Sequence, residues 1–589
     1  NAVVWRRAAI WAGYRFAERL PSDPRLPREK IHRLDGLATT RTFRQRVLGQ
    51  ELTFVAPTFD RVLHLRTAWQ EELAARVRFA PPDAIEAALA RAASDELMDY
   101  ARQETTRRWP GASAAGLTLP VRIGFAVSLV AVILLVMLSG AIARPFLIPL
   151  VALLLMAPGL MRIFAAVPGR GEPEVEALAD DELPTYSVFI PLRDEAQMVP
   201  MLARAMSAID YPSSRLDIKF VVEAKSPDTV SAVERVLGDP RFRMVVVPQG
   251  APHTKPKAID YALPLARGEF LVVYDAEDVP DPDQLRRAAE RFRHDPELAC
   301  LQAELVPENA HENALTALFA GEYAGLFGRL LPALSRWGLP VPLGGTSNHF
   351  RTSVLRELGG WDAFNVTEDA DLGVRLARRG FPAEAFTSRT HEEAPVSLLA
   401  WMAQRTRWMK GWMQTYCVHA WSPRQLLADL GWKAFLGFHL IVGGMILSSL
   451  LHTVFLGTLL GRLIFDGVVG LVPQDVWDWF AVGILATGYG GALAVVFSGL
   501  AHLRAWHLMP MQLMVPAYWM LHSIATLFAA VELVTKPTHW AKTTHGVTQL
   551  TRAAAPMQAE TSGRVAAEAE VGGVDIRRLA GDEIGEHAP

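Results

Sequence analysis

Three carboxylates, Asp275, Glu277 and Asp278, crowd together directly after the apolar run FLVVY at 270–274. Such oxygens suit a hard divalent cation, Mg2+ or Mn2+, which shares its remaining positions with phosphate oxygens. A cation there would neutralise charge developing on a departing diphosphate. Taken alone, the cluster reads equally well as a solvated acidic loop. A second carboxylate group lies further on, in Thr367-Glu368-Asp369. Asp369 could take the proton of an attacking hydroxyl, with Asp371 as the alternative. The same residues mark a helix start, since acidic side chains favour a first turn. The two roles are compatible, because a helix start holds a side chain rigidly. A third group, Gln404, Arg407 and Trp408, is spaced i, i+3, i+4 and shares one helical face. Arg407 can bind a diphosphate with a charge-assisted fork. Trp408 offers a flat apolar ring suited to packing on a sugar. Trp401 and Trp412 read as an interfacial aromatic belt.

These groups need a scaffold. Residues 184–430 alternate short β-rich runs (187–192, 218–223, 244–248, 270–274) with helical segments such as 198–209 and 229–237. The alternation predicts an α/β domain with a parallel sheet and crossover helices. Ligands of such sheets sit at the carboxyl ends of the strands, where the acidic cluster falls. A Pro/Gly/Glu-rich linker, 169–181, precedes this domain.

Apolar stretches flank it. Residues 123–143 and 146–167 are each about the 20 residues of a spanning helix, broken by Arg144-Pro145 into a hairpin. Arg107, Arg108, Arg122, Arg162 and Arg170 lie near its two ends and place both flanks on the cytoplasmic side. After Trp432, residues 434–456, 479–500 and 511–534 read as further spans. The stretch 453–473 carries Arg462 and Asp466; counting it gives four C-terminal spans, omitting it three, and four is the expectation. The expected domains are therefore 1–119, a small cytoplasmic unit; 120–168, the hairpin; 184–430, the α/β domain; 434–535, the C-terminal spans; and 536–589. That last part holds KPTHWAKTTHG (536–546), an amphipathic anchor, and an Ala/Glu/Gly-rich tail expected to be disordered.

Composition narrows the field. Half of the 589 residues are hydrophobic, the net charge is −3, and there are two cysteines. Clustered apolar residues point to a bilayer and the charge argues against nucleic acid. Cys300 and Cys417 are far apart, which excludes a disulfide framework and fits a reducing compartment. Arg6, Arg7 and Arg15 interrupt any signal-peptide core, and the opening Asn1 implies residues before it.

Four segments occur in order: FIPLRDEAQMVP (189–200), TKPKAIDYAL leading to VVYDAEDVPDPDQL (254–285), NVTEDADLGVRLARRG (365–380) and QRTRWMKGW (404–412). Together they resemble the processive family-2 glycosyltransferases, the group of bacterial cellulose synthase, hyaluronan synthase and chitin synthases, over about residues 120–550. The resemblance implies a GT-A type domain inserted between transmembrane helices of the bacterial inner membrane, working on its cytoplasmic face. It implies an inverting hexosyltransferase that uses a UDP-sugar, with UDP-glucose the expected donor, and exports a growing β-linked polysaccharide. Asp275 and Glu277 would hold metal, with Glu277 one methylene longer than the family's second Asp. Asp369, flanked by Glu368, would be the base. Pro191, Arg193, Glu195 and Glu223 would cradle the nucleotide; Lys255, Lys257, Gln404 and Arg407 would hold the diphosphate. The residues after Glu223 are poorer in acid than the family pattern. Trp408 and Asn348, the latter in GGTSN (344–348), would face the acceptor, whereas His349 beside it reads as structural. No P-loop is present, so elongation would drive export. ELTFVAP (51–57) and VRFAPPDAIEAAL (77–89) faintly resemble the N-terminal domain of type II secretion ATPases, which implies a site for cyclic di-GMP; a helical cap without ligand is the other reading. Two other activities fit: a non-processive transferase to lipid-linked acceptors, and a catalytically degenerate nucleotide-sensing receptor.

Overall fold

The computed structural model describes residues 2–18, 20, 34–47, 49–138, 144–169 and 171–539. Residues 540–546 of the expected amphipathic segment, and the tail, lie outside them.

The N-terminal unit opens with α1 (Ala2–Ala12), β1 (Arg15–Phe16), β2 (Thr42–Val47) and β3 (Gln50–Val55). It continues through α2 (Phe59–Thr67), α3 (Glu71–Arg76), β4 (Val77–Phe79), α4 (Pro82–Ala92) and α5 (Ser94–Arg108). Its strands form a sheet in the order β1-β4-β3-β2. The unit is therefore α/β rather than a helical cap: ELTFVAP supplies most of β3. Its alternation is brief, and only Phe54 in it is fully packed away, which is why the strand is faint in sequence.

Two apolar helices follow, α6 (Leu119–Leu138) and α7 (Arg144–Ala165). The α/β domain then runs β5 (Tyr186–Leu192), α8 (Val199–Ser207), β6 (Leu216–Glu223), α9 (Pro227–Val236), β7 (Phe242–Val247), α10 (Lys255–Ala262) and β8 (Phe270–Val273). It goes on through β9 (Val279–Pro280), α11 (Gln284–His294), β10 (Cys300–Pro307), α12 (Ala314–Gly325), α13 (Leu331–Arg336), β11 (Asn348–Arg351), α14 (Thr352–Leu358), α15 (Glu368–Arg378) and β12 (Ala383–Glu392). One sheet takes the order β7-β6-β5-β8-β11-β10-β12-β9. The four predicted strands are its parallel half. The other half corrects the purely parallel expectation, because β11 runs antiparallel to both β8 and β10. With four residues, β11 is too short to show a period.

Both faces of the sheet are covered. Phe189, Val221 and Val273 join one core; Val188, Ile190, Ile218 and Phe220 join the other. Strand alternation sends neighbours to opposite faces, and β6 is buried along its whole length. A strand apolar on both faces reads as a continuous run, as β6 does.

The chain leaves this domain through α16 (Leu398–Ala420) and α17 (Pro423–Phe438), then α18 (Gly444–Asp466), α19 (Val476–His502) and α20 (Val515–Thr535). Among the described residues four helical runs are long and apolar enough to cross a membrane: 119–136, 423–469, 476–502 and 506–535. The apolar part of α7, Pro149–Ala165, is shorter. The stretch 453–473 forms no separate span; 453–466 is the second half of α18. The helix continues through Arg462, a good helix former, whose guanidinium pairs with Asp478 of α19 at 2.9 Å.

Candidate active site

The sheet's carboxyl edge and α16 enclose a cavity of about 470 Å3. Strand ends deliver the first wall. Pro191 is the next-to-last residue of β5, Arg193 and Glu195 follow the strand, and Glu223 closes β6; all four line the cavity. Glu195 accepts from the Arg193 amide at 3.1 Å, and the Arg193 guanidinium donates to the His253 carbonyl at 3.2 Å. Lys257 is set back: it is fully buried, pairs with Glu223 at 2.9 Å and donates to the Gly250 carbonyl at 3.2 Å. The other Glu223 oxygen has no hydrogen-bond partner among the described residues.

Lys255, at the start of α10, reaches across to Asp275 and to the Gly345 carbonyl. Asp275 and Glu277 line the cavity, whereas Asp278 is turned away and buried. Asp278 accepts from the Asp275 amide at 2.6 Å and from the Thr346 hydroxyl. It shapes the loop that presents the other two. Burial, then Asp275 beside it, raises Asp278 to about 7 and pushes Glu277 well above the usual carboxylate range. Acid on this wall thus outweighs base, a state that a divalent cation would relieve. Among the described residues no three His, Cys, Asp or Glu side chains converge as a ready metal cage. The donor set fits a cation that borrows diphosphate oxygens and water, as hard cations do.

Opposite stands the start of α15. Asp369 accepts from the Ala370 amide at 2.7 Å, and Glu368 and Asp369 both line the cavity. Burial raises both carboxyls, Glu368 to about 8 with Asp369 adding to the effect. Lys255 and Arg407 oppose the rise. Asp371 faces inward instead, held by Arg375 at 2.6 Å and by His419 at 2.9 Å. Unlike Glu368 and Asp369, it does not line the cavity.

The third wall is α16. Gln404, Arg407 and Trp408 line the cavity together, as their spacing implies. Burial lowers Arg407, while Glu368, Asp369 and Asp275 around it favour its charge. The Arg405 guanidinium lies 4.3 Å from the Trp408 ring centroid, and Tyr323 stacks beside that ring at 6.3 Å and 27°. Trp412 also lines the cavity, and Trp401 is fully buried with its indole N–H donating to Tyr518 at 3.0 Å. Neither forms the expected lipid-facing belt, because α16 is packed between α15 and α20. Asn348 does not line the cavity; its amide donates to the Gly344 carbonyl at 2.6 Å, fixing the GGTSN loop. His349 is structural: it is buried between Tyr186 at 2.7 Å and Gln284 at 3.1 Å, and burial presses it down to about 3.

Three contributors escape motif reading. Glu392, at the end of β12, lines the cavity close to the acids, and burial raises it. Its place at a strand end before Glu393-Ala394-Pro395 was the available signal. Tyr323 of α12 has no signal, lying in an ordinary apolar helix. Gly411 lets α16 approach α15, since a Cβ there would collide with the Thr367 side chain.

From these walls the cavity continues between the apolar helices, past Ser448 and His452 of α18, Gly488 and Tyr489 of α19, and Trp519 of α20.

Comparison with known proteins agrees with this geometry. Residues 270–466 match the family described as glycosyl transferase family group 2. A probable glycosyltransferase of Bacillus subtilis, YdaM, is 27% identical over 233 residues, covering 39% of this chain and 56% of that protein. A beta-monoglucosyldiacylglycerol synthase of Trichormus variabilis is 27% identical over 242 residues, covering 40% and 50%. The UDP-forming cellulose synthase catalytic subunit of Xanthomonas axonopodis pv. citri is 29% identical over 243 residues, covering 40% and 32%. The chain spans about half the length of the first of these relatives. With its mixed sheet, strand-end acids and α16 wall, the chain carries an α/β domain whose residues 270–466 match family group 2 of the glycosyl transferases.

Proposed function

We propose that this membrane protein is an inverting hexosyltransferase that polymerises sugar from a UDP-sugar, UDP-glucose by preference, into a β-linked polysaccharide exported as it grows. The observation that carries the reading is the single cavity running from Asp275 and Arg407, past Trp408, to the membrane helices.

The acceptor hydroxyl attacks the anomeric carbon as the carbon–oxygen bond to the diphosphate breaks, and UDP leaves with that electron pair. Asp369 takes the hydroxyl proton. Asp275 and Glu277 would hold Mg2+ or Mn2+, which supplies positive charge to the leaving diphosphate. Arg407 and Lys255 add charge of their own, and the unpartnered oxygen of Glu223 is placed to accept from the nucleoside. Trp408 presents a ring to the terminal sugar, keeping the chain in place between additions. The catalytic domain is placed on the cytoplasmic face of a bacterial inner membrane, where nucleotide sugars are made. Cyclic di-GMP, if a ligand, would act through residues 1–119.

A second reading has support as well. The Trichormus relative is named for a lipid acceptor, and a cavity opening between membrane helices would admit one. Incubating the purified protein with a panel of UDP-sugars in lipid vesicles separates the two. The proposal expects a polymer and free UDP; a lipid bearing one sugar would establish the second reading instead.

A further inference from the structure

The N-terminal unit is bolted to the catalytic domain at the two loops that serve the reaction. Its helix α5 lies across both. Near its middle, the Arg102 Nε donates to the Ala251 carbonyl at 2.5 Å. A Cβ on Gly250 would sit 3.5 Å from the same guanidinium and 3.7 Å from the Met98 sulfur. This loop leads straight into Lys255, and its carbonyls at Gly250 and His253 hold Lys257 and Arg193.

The far end of α5 meets the loop before α15. Arg108 donates to the Glu357 carbonyl at 3.0 Å and the Trp109 indole to the Leu358 carbonyl at 3.0 Å. The Thr105 hydroxyl lies 2.7 Å from the Trp361 carbonyl and 2.9 Å from that of Gly359. Gly359 has φ +83°, and a Cβ there would be 3.0 Å from Arg108 Cδ. The Ala114 amide donates to Asp362 at 2.5 Å. Asp362 in turn pairs with Arg375 at 3.4 Å, the buried arginine that also grips Asp371. Arg375, Arg378 and Arg379 of and beside α15 stand 5.7, 5.1 and 4.8 Å from the Trp109 ring. Acceptors from the end of α14 to Asp362, buried apart from the exposed Glu357 carbonyl, are thus satisfied by the N-terminal unit, and buried acceptors without such donors are costly.

We infer that α5 and residues 109–114 are a brace that positions the active site, setting the donor loop at Arg102 and the base helix at Thr105 and Trp109. Thr105, Trp109 and Arg102 are positioning residues; none touches the cavity. α4 fastens the brace from behind, through Asp83 to Arg243 at 3.0 Å and through Glu86 to Arg267. The unit is then part of the machinery whether or not it binds a ligand. The inference rests on Asp369 and Lys255 acting as proposed above.

Because the two ends serve different loops, they should disturb different kinetic parameters. The test is steady-state UDP release by the full-length protein in vesicles, for Thr105→Val, Thr105→Ser, Arg102→Ala and Asp369→Asn, each normalised to folded protein. Loss of a buried hydrogen bond changes an equilibrium by about five- to tenfold. Thr105→Val should lower kcat by about that factor and leave the donor KM within about twofold. Thr105→Ser, which keeps the hydroxyl, should restore kcat. Arg102→Ala should raise the donor KM several-fold and spare kcat. A general loss of folding would move both parameters together and would not be rescued by serine. Unchanged kinetics in both Thr105→Val and Arg102→Ala, or a parallel loss in both, would overturn the brace. An active Asp369→Asn would instead overturn the base on which it rests.

Discussion

At the residue scale, the proposed base Asp369 and the proposed metal acids Asp275 and Glu277 are separable by experiment. Asp369→Asn keeps shape and removes the proton acceptor. It should leave UDP binding intact and cut turnover by about 100- to 10,000-fold, the usual worth of a general base. Near-normal product formation would remove Asp369 from the role. Burial holds Asp369 above the ordinary carboxylate value of 3.8 and Glu368 at about 8 in the free protein. A raised pKa leaves the base protonated, and so idle, at pH values where an exposed aspartate is already ionised. The acid limb of kcat/KM should therefore lie above about pH 4; a limb at that ordinary position would show that the buried pair does not govern the rate. On the metal wall, EDTA should abolish activity and Mg2+ or Mn2+ restore it. Asp275→Ala should weaken donor binding and lower the rate by more than about 100-fold. Full activity after chelation would contradict the metal assignment.

At the element scale, α16 must lie close on α15 to bring Arg407 and Trp408 beside Asp369. Gly411 sets that distance. Gly411→Ala forces a methyl into Thr367, an overpacking worth about 1–3 kcal/mol, and should lower activity at least tenfold or lower the unfolding midpoint. Gly457→Ala, on α18 with open space around it, is the control expected to do neither. Wild-type behaviour of Gly411→Ala would mean the two helices can part without harm. Helix contacts of this kind explain what could be read beforehand. The face of α16 follows a 3.6-residue period, so Gln404, Arg407 and Trp408 were legible together, and Asp369 was legible as an acid at a helix start within a family-like motif. Asp275 and Glu277 were legible as acids at a strand end. Lys257 and Asn348 carry the chemistry expected of ligands, yet burial turns them to Glu223 and Gly344, and burial direction is not written in a short motif. Strands β9 and β11 were missed because two and four residues show no period, and β12 because it is only partly buried; β10 is buried along nearly its whole length, but Gln302 and Glu304 interrupt its apolar run.

At the scale of the whole molecule, α20 is long and apolar enough to span, yet both of its ends touch the catalytic domain. Near its start the Tyr518 hydroxyl donates to Glu322 at 2.9 Å. Near its end Lys410 of α16 pairs with Glu532 at 2.8 Å and donates to the His539 carbonyl at 2.7 Å. We therefore expect α20 to lie along the membrane surface beneath α16, with α6, α7, α18 and α19 crossing. A reporter placed after His539 should be found on the same side as the catalytic domain, and a reporter on the opposite side would make α20 a crossing helix. One cavity runs from the strand-end acids past Trp408 to these helices. Product length reads it most directly. Nucleobases stacked on aromatic side chains gain roughly 1–3 kcal/mol; if sugar packing on Trp408 is similar, loss of about 2 kcal/mol in Trp408→Ala would speed chain release on the order of 30-fold. Size-exclusion chromatography of products from UDP-glucose should show a long polymer from the wild-type protein and short chains from Trp408→Ala, with UDP affinity preserved. Single-sugar adducts from the wild-type protein, or equal lengths from both, would contradict processive synthesis on the Trp408 platform.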